Sequence, residues 1–255
     1  MFVDLHSHIL PGVDDGAQTV EDAVYMARSA VAEGISYMLC TPHYNNGHYM
    51  NKKNDIINDV ASLQTVFNQL QIPLTLFEGQ EVRISEDLSR RIVLDEILFA
   101  DLSDTYIMIE LPFSSVPEYT YPVLSDLCSK GYRPIIVHPE RNSVFMENPK
   151  SLEPFIEMGC LSQITNGSFI GQFGKKAQKA SEIMIKHNYA HMLSSDAHNV
   201  STRGFYATEA YDLLEEQFGI EKRQAFEQIT KDIVNGDKVE VPSIIEVKKK
   251  HWVFS

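Results

Sequence analysis

The sequence has no run of about 18 apolar residues, the length a membrane-spanning helix needs. Its start lacks the basic region, apolar stretch and small-residue cleavage site of a secretory signal. A cytoplasmic protein without membrane insertion is expected. Basic charge is scarce too: 22 Lys and Arg stand against 35 Asp and Glu, a net charge of -13. That balance argues against nucleic acid as a partner, because phosphate backbones reward a basic face. Cysteine is limited to Cys40, Cys128 and Cys160, which are far apart, odd in number and form no CxxC. Each lies in or beside an apolar segment, so buried free thiols are expected rather than a disulfide framework. No low-complexity tract or Pro/Gly/Ser-rich linker divides the chain. A single domain over residues 1–255 is the expectation, and 44% hydrophobic residues suffice for its core.

What is present is a recurring unit: a helical stretch, a Gly or Asn stop, a short apolar strand, then polar residues. TVEDAVYMARSAVAEG stops at Gly34 before ISYMLCTPH. SDLCSKG stops at Gly131 before YRPIIVHPE, PFIEMG at Gly159 before CLSQITN, and ASEIMIKHN at Asn188 before YAHMLSSDAH. Gly and Asn readily take the left-handed backbone that ends a helix. Thr19 followed by Asp22 resembles a capping box. The strands are nearly continuous apolar runs, as in a parallel sheet buried on both faces. Alternation of this kind over 255 residues predicts a TIM-like barrel or a doubly wound sheet.

The polar residues favour the barrel. FVDLHSH ends in His6 and His8, YMLCTPH in His43 and PIIVHP in His138. Glu81 lies in LTLFEGQEV, Glu110 in YIMIEL, and Asp196 and His198 in HMLSSDAH. In a barrel the C-terminal strand ends converge on one rim, where active sites are built. With Asp14 of VDDG, the candidate ligands are His6, His8, Asp14, His43, Glu81, Glu110, His138, Asp196 and His198. That is more than one tetrahedral zinc takes. Imidazole and carboxylate without thiolate suit two or three Mn, Fe or Zn ions. Such ions clamp the attacking and leaving oxygens of a phosphate ester, and they lower the pKa of bound water, so a bridging hydroxide is the expected nucleophile. Arg141 in HPER and Arg203 in DAHNVSTR are placed to hold phosphate oxygens. Asp4 and Asp15 read as turn or supporting residues. His48, His187, His191 and His251 lack the strand-end position and read as surface or structural.

Taken in order, HSH, VDDG, CTPH, GQEV, IELP, VHPER and SSDAH resemble the PHP (polymerase and histidinol phosphatase) superfamily. More narrowly, they resemble the manganese-dependent bacterial tyrosine-protein phosphatases of capsule and exopolysaccharide loci, the CpsB/YwqE type. The resemblance runs from residue 1 to about residue 215. It implies a distorted (β/α)7 TIM-like barrel and a site for three ions, Mn2+ above all. His6, His8, Glu81 and Asp196 would bind the first ion, and Glu81 would bridge to a second held with Glu110 and His138. Asp14, His43 and His198 would bind the third, with Arg141 and Arg203 on the substrate phosphate. The implied partner is the phosphorylated Tyr-rich tail of a bacterial tyrosine kinase of polysaccharide assembly. Histidinol phosphate or another small phosphomonoester is the alternative substrate. Oligomeric state is left open.

Independently, the residues six positions after the three cysteines are Asn46, Pro134 and Asn166. None is Arg, so the C-x5-R phosphate loop of cysteine-dependent tyrosine phosphatases is missing. Two aromatic segments are candidates for a rim that packs a phenyl ring: PFSSVPEYTYPVL with Tyr119 and Tyr121, and HYNNGHYMNKK with Tyr44, Tyr49 and Lys52. The tail KVEVPSIIEVKKKHWVFS is expected to dock on the barrel or a neighbour, or to fray.

Overall fold

The structure, a computed structural model, describes residues 1–246. The described residues contain nine strands, most of them separated by helices: β1 (Phe2–Ser7), β2 (Ile35–Cys40), β3 (His43–Tyr44), β4 (Thr75–Glu78), β5 (Glu81–Arg83), β6 (Tyr106–Glu110), β7 (Arg133–Val137), β8 (Leu161–Thr165) and β9 (Met192–Ser194). Every strand pairing is parallel, in the orders β1-β2-β4 and β3-β5-β6-β7-β8-β9. The two groups are continuous with one another. Thr41 and Pro42 interrupt β2 and β3, Gly79 and Gln80 interrupt β4 and β5, and the gap is bridged by Gly79 N–H to Cys40 O (3.0 Å) and Glu81 N–H to Pro42 O (3.2 Å). Counting each interrupted strand once leaves seven strand positions. The first and last meet: Asp196 N–H donates to His6 O (2.8 Å) and His8 N–H to Ala197 O (2.9 Å). The strand pattern predicts a TIM-like barrel, and this seven-position, distorted form is the one the family resemblance implies.

The strands alternate between two buried surfaces, as a two-residue period requires. Val3 and Leu5, Tyr106 and Met108, Ile135 and Val137 belong to one cluster with Leu161 and Met192. Phe2, Ile107, Ile109 and Ile136 belong to the other, shared with the surrounding helices. Ile229 and Ile233 of the helix Ile220–Asn235 close the inner cluster at the N-terminal strand ends. There the tail docks: Arg133 donates to Val239 O (2.6 Å) and Tyr106 Oη to Asp237 O (2.7 Å). Further on, Ile245 N–H donates to His187 O (3.1 Å). Residues 247–255, including His251, lie outside the described residues.

Local signals behave as the sequence suggests. Thr19 and Asp22 form a reciprocal capping box on the helix Val20–Ala32. Gly34, Gly131, Gly159 and Asn188 all take left-handed backbone at helix ends. Cys40 and Cys160 are buried free thiols, while Cys128 is only half-buried. Among the described residues, no helix is long and apolar enough to cross a membrane.

Candidate metal centre

The barrel places its chemistry at the C-terminal strand ends. His6 lies in β1 and His8 just beyond it; Glu110 ends β6; His138 follows β7; Asp196 and His198 follow β9. His43 and Glu81 open β3 and β5 just past the two interruptions, and they pair in register. His138 and Asp196 are held in left-handed backbone, at φ 36° and 51°. For non-glycine residues this costs of order 1–3 kcal/mol and is characteristic of functional sites.

Glu81, fully buried, is the hub. His138 Nε2 lies 2.7 Å from its Oε1. His43 Nδ1, His8 Nε2 and His6 Nε2 lie 2.9, 3.3 and 3.4 Å from its Oε2. Asp196 Oδ1 also faces His8 Nε2 (3.2 Å) and His6 Nε2 (3.4 Å). Three overlapping donor groups result: His6, His8 and Glu81; His43, Glu81 and Glu110; and His8, Asp15, His43 and His198. Within each, the donor atoms lie within 4.8 Å of one another.

The two aspartates of VDDG take different places from those the sequence suggests. Asp14 Oδ2 contacts His8 Nδ1 (2.7 Å) and accepts from His43 N–H (3.2 Å). It therefore supports the ring from behind. Asp15 is the one that faces the donors, with Oδ1 3.4 Å from both His43 Nε2 and His198 Nε2. The turn decides this. Gly16 N–H bonds Asp14 Oδ1 (2.9 Å), and the chain then passes so close to β1 that a Cβ on Gly16 would sit 1.9 Å from His8 O.

Electrostatics match a site built for cations. Burial would raise the Glu81 carboxyl, yet His43 and His6 hold it well below the usual range. Burial and the Glu81 charge push Glu110 up to about 7. Burial opposes a proton on His43, but Glu81 and Asp15 hold it up to about 10. Burial pushes His138 down to about 4. His43 Nδ1, Glu81 Oε2, Glu110 Oε2 and His198 Nε2 are buried without an aligned hydrogen-bond partner. Each such group costs of order 1–3 kcal/mol if left unsatisfied. Convergent imidazole and carboxylate donors of this kind fit divalent metal ions.

Around the centre lies an open cleft of about 600 Å³ lined by Arg83, Arg141, Arg203, Tyr49 and Phe113, among others. Arg141 Nη1 and Arg203 Nη2 both pair with Asp196 Oδ2, the latter at 2.9 Å. Two supporting residues escape the strand-end pattern. Gln163 Oε1 meets His6 Nδ1 at 3.0 Å, from the strand whose end carries neither His nor acid. Arg83, two residues past Glu81, pairs with Glu110 Oε2 at 2.9 Å.

Other expectations change. Tyr119 packs on the core, and Tyr121 rests against Phe155, 6.0 Å between centroids, so neither lines the cleft. Tyr44 is buried with its hydroxyl on Glu96 (2.9 Å), and Lys52 lines a separate hollow. His48, read as surface or structural, is exposed, and it also lines the cleft. His191 is structural, its Nδ1 accepting from Ser162 N–H at 3.1 Å. Asp4 is buried beneath the site, accepting from Ser195 N–H (2.9 Å).

A parallel barrel with a buried His/carboxylate centre and arginines at its rim has the makings of a metal-dependent hydrolase. Residues 2–234 match the model of the family described as "Capsular polysaccharide synthesis, CpsB/CapC", and the chain belongs to that family. It is 43% identical over 220 residues to the tyrosine-protein phosphatase YwqE of Bacillus subtilis, covering 86% of each chain. It is 32% identical to the putative tyrosine-protein phosphatase CapC of Staphylococcus aureus, over 98% of each. Among solved structures, one from the pair YwqE of Bacillus subtilis and CpsB of Streptococcus pneumoniae, described as unique metal-dependent tyrosine phosphatases, superposes with a TM-score of 0.92. It is 39% identical and the match covers 97% of this chain and 100% of that one. The lactonase Lmo2620 of Listeria monocytogenes shares the fold alone, with a TM-score of 0.54 at 10% identity over 93% of this chain and 95% of that one.

Proposed function

We propose that this chain is a metal-dependent protein-tyrosine phosphatase acting on a bacterial tyrosine kinase of capsular or exopolysaccharide synthesis. The observation that carries the reading is the convergence of buried His and carboxylate donors with Arg141 and Arg203 in one cleft. Family membership and the names of the relatives supply the substrate class.

His6, His8, Glu81 and Asp196 would hold one ion, Glu81, Glu110 and His138 another, and Asp15, His43 and His198 a third. Mn2+ is the proposed metal, and Fe or Zn also suits these donors. When bound, such ions supply an activated water near neutral pH and neutralise phosphate charge. The chain's own residues do the rest. Asp14 and Gln163 fix the ring orientations of His8 and His6 from behind. Arg141 and Arg203 turn from Asp196 toward phosphate oxygens, where a guanidinium binds charge developing in the transition state. No cysteine competes for the role of nucleophile: Cys40 is buried, burial pushes its thiol up, and Cys128 and Cys160 lie away from the cleft.

The test is to strip the purified protein with chelator, reload it with Mn2+, and assay a phosphotyrosine peptide beside a phosphoserine peptide and histidinol phosphate. Metal-dependent turnover favouring phosphotyrosine is expected. Preference for histidinol phosphate would move the protein to small-molecule metabolism.

A further inference from the structure

Two aromatic rings line the cleft besides the histidines, and each is stacked on a different imidazole of the centre. Tyr49 lies over His43, with centroids 6.0 Å apart and planes 9° apart. Phe113 lies over His138, at 5.8 Å and 20°. Those imidazoles approach the same carboxylate from its two oxygens, His43 on Glu81 Oε2 (2.9 Å) and His138 on Oε1 (2.7 Å). The rings therefore flank the entrance to Glu81 from two sides.

Depth separates them from the donors. Glu81 and His6 are fully buried, whereas Phe113 is 48% exposed. A phosphate that reaches the donors leaves whatever carries it at the level of the rings. An exposed Phe against a polar centre gains only when an apolar or aromatic group covers it.

The backbone that carries each ring is held in place. Asn142, next to Arg141, donates from Nδ2 to Pro112 O (2.7 Å) and Ser115 O (2.9 Å), while Ser143 N–H donates to Phe113 O (2.8 Å). The Arg141 guanidinium sits 5.2 Å from the Phe113 centroid. On the other side, Asn45 N–H bonds Tyr49 O (3.0 Å) and Tyr49 N–H bonds Asn46 Oδ1 (2.9 Å). A loop whose backbone is ordered before binding has less entropy to lose on contact.

We infer that Tyr49 and Phe113 form a two-sided aromatic mouth that selects aryl over alkyl phosphate monoesters. This rests on the phosphatase reading and goes further by naming the residues that set its selectivity. Phosphotyrosine places its ring between them; phosphoserine and alkyl phosphates present nothing for the rings to cover.

The experiment compares kcat/KM for phenyl phosphate and glycerol phosphate in the Mn2+-loaded wild type, Phe113→Leu, Phe113→Trp and Tyr49→Leu, with bound metal quantified in each. Leucine keeps apolar bulk without a ring, so it preserves folding better than alanine. The aryl-to-alkyl ratio is expected to fall about tenfold in Phe113→Leu, mainly through KM, and to be retained in Phe113→Trp. Equal losses on both substrates would mean that Phe113 serves only to seat Arg141, and would overturn the inference. An unchanged ratio in both leucine variants would do the same. Absence of metal-dependent turnover by the wild type on either substrate would bring down the phosphatase reading itself. Turnover with an insensitive ratio brings down only the aromatic mouth.

Discussion

Asp14 Oδ2 sits 2.7 Å from His8 Nδ1, which leaves His8 Nε2 facing Glu81 and Asp196. The neighbouring carboxylate, Asp15, faces the donors instead. Adjacent aspartates thus have separable effects. Asp14→Asn should weaken metal affinity about 10–100-fold while keeping the full metal count at saturation. Asp15→Ala should lower the number of ions bound at saturation. Metal titration with elemental analysis distinguishes the two, and the reverse pattern would return Asp14 to the ligand set.

Glu81 touches four imidazoles, so its loss should be felt by more than one ion. Glu81→Ala should abolish high-affinity metal binding and nearly all turnover. Wild-type turnover in a verified metal-free preparation of this variant would refute the mechanism.

Arg203 is 28% exposed and pairs with Asp196 through Nη2. Arg203→Ala should keep its metals and lose about 10²–10³-fold in kcat, about 2.7–4 kcal/mol, as removal of an oxyanion donor does. Arg141 is more deeply set and shares the same Asp196 oxygen. Arg141→Ala should therefore show a similar kinetic loss together with a change in metal affinity. Unchanged kcat/KM for Arg203→Ala would make that residue a surface cation.

Metal uptake should release protons. In the metal-free protein His43 is held up to about 10 and Glu110 is pushed up to about 7. A cation must displace these protons, His43's throughout the neutral range and Glu110's increasingly as pH falls below about 7; burial opposes a proton on His8 as well, yet Asp14 holds that ring well above its usual range. Apparent Mn2+ affinity should therefore climb with pH, more steeply below 7 than above it. Calorimetric titration in buffers of different ionisation enthalpy counts those protons. A pH-independent affinity between 6 and 8 would contradict these assignments.

Gly16→Ala tests the turn that sorts the two aspartates. Its Cβ would meet the His8 carbonyl at 1.9 Å, and that is backbone, which cannot swing aside. A stability loss of about 1–3 kcal/mol in denaturant unfolding of the metal-free protein is expected. Metal binding should suffer as well, because Asp15 moves with the turn.

The barrel and most of the centre are legible in the sequence because strand polarity is a one-dimensional signal. Continuous apolar runs end in His or acid, and a parallel barrel brings those ends together. Asp15 is not legible in this way: VDDG offers two equivalent carboxylates, and only the backbone path past His8 separates them. Gln163 is missed because a neutral amide at the end of CLSQIT carries no metal-ligand signature. Arg83 follows Glu81 by two residues, and its partner Glu110 comes from the next strand, a pairing that register alone reveals. The aromatic rim is misread toward Tyr119 and Tyr121 for a related reason. They open a helix that packs on the core, and of that segment the ring that reaches the cleft is Phe113 in the preceding loop, while Tyr49 of the other candidate segment does line it.

The hydrogen bonds that join β1 to the segment after β9 link residues separated by about three quarters of the chain. His6 and His8 cannot meet Asp196 and His198 until that seam forms. A growing polypeptide thus carries three of its nine proposed ligands, His6, His8 and Asp15, from the outset yet assembles the centre only after about two hundred residues have been made and folded. Cation capture at the proposed centre is then expected late in biogenesis, and a chain truncated just before Asp196 would keep its nine described strands but lack the residues that complete the centre.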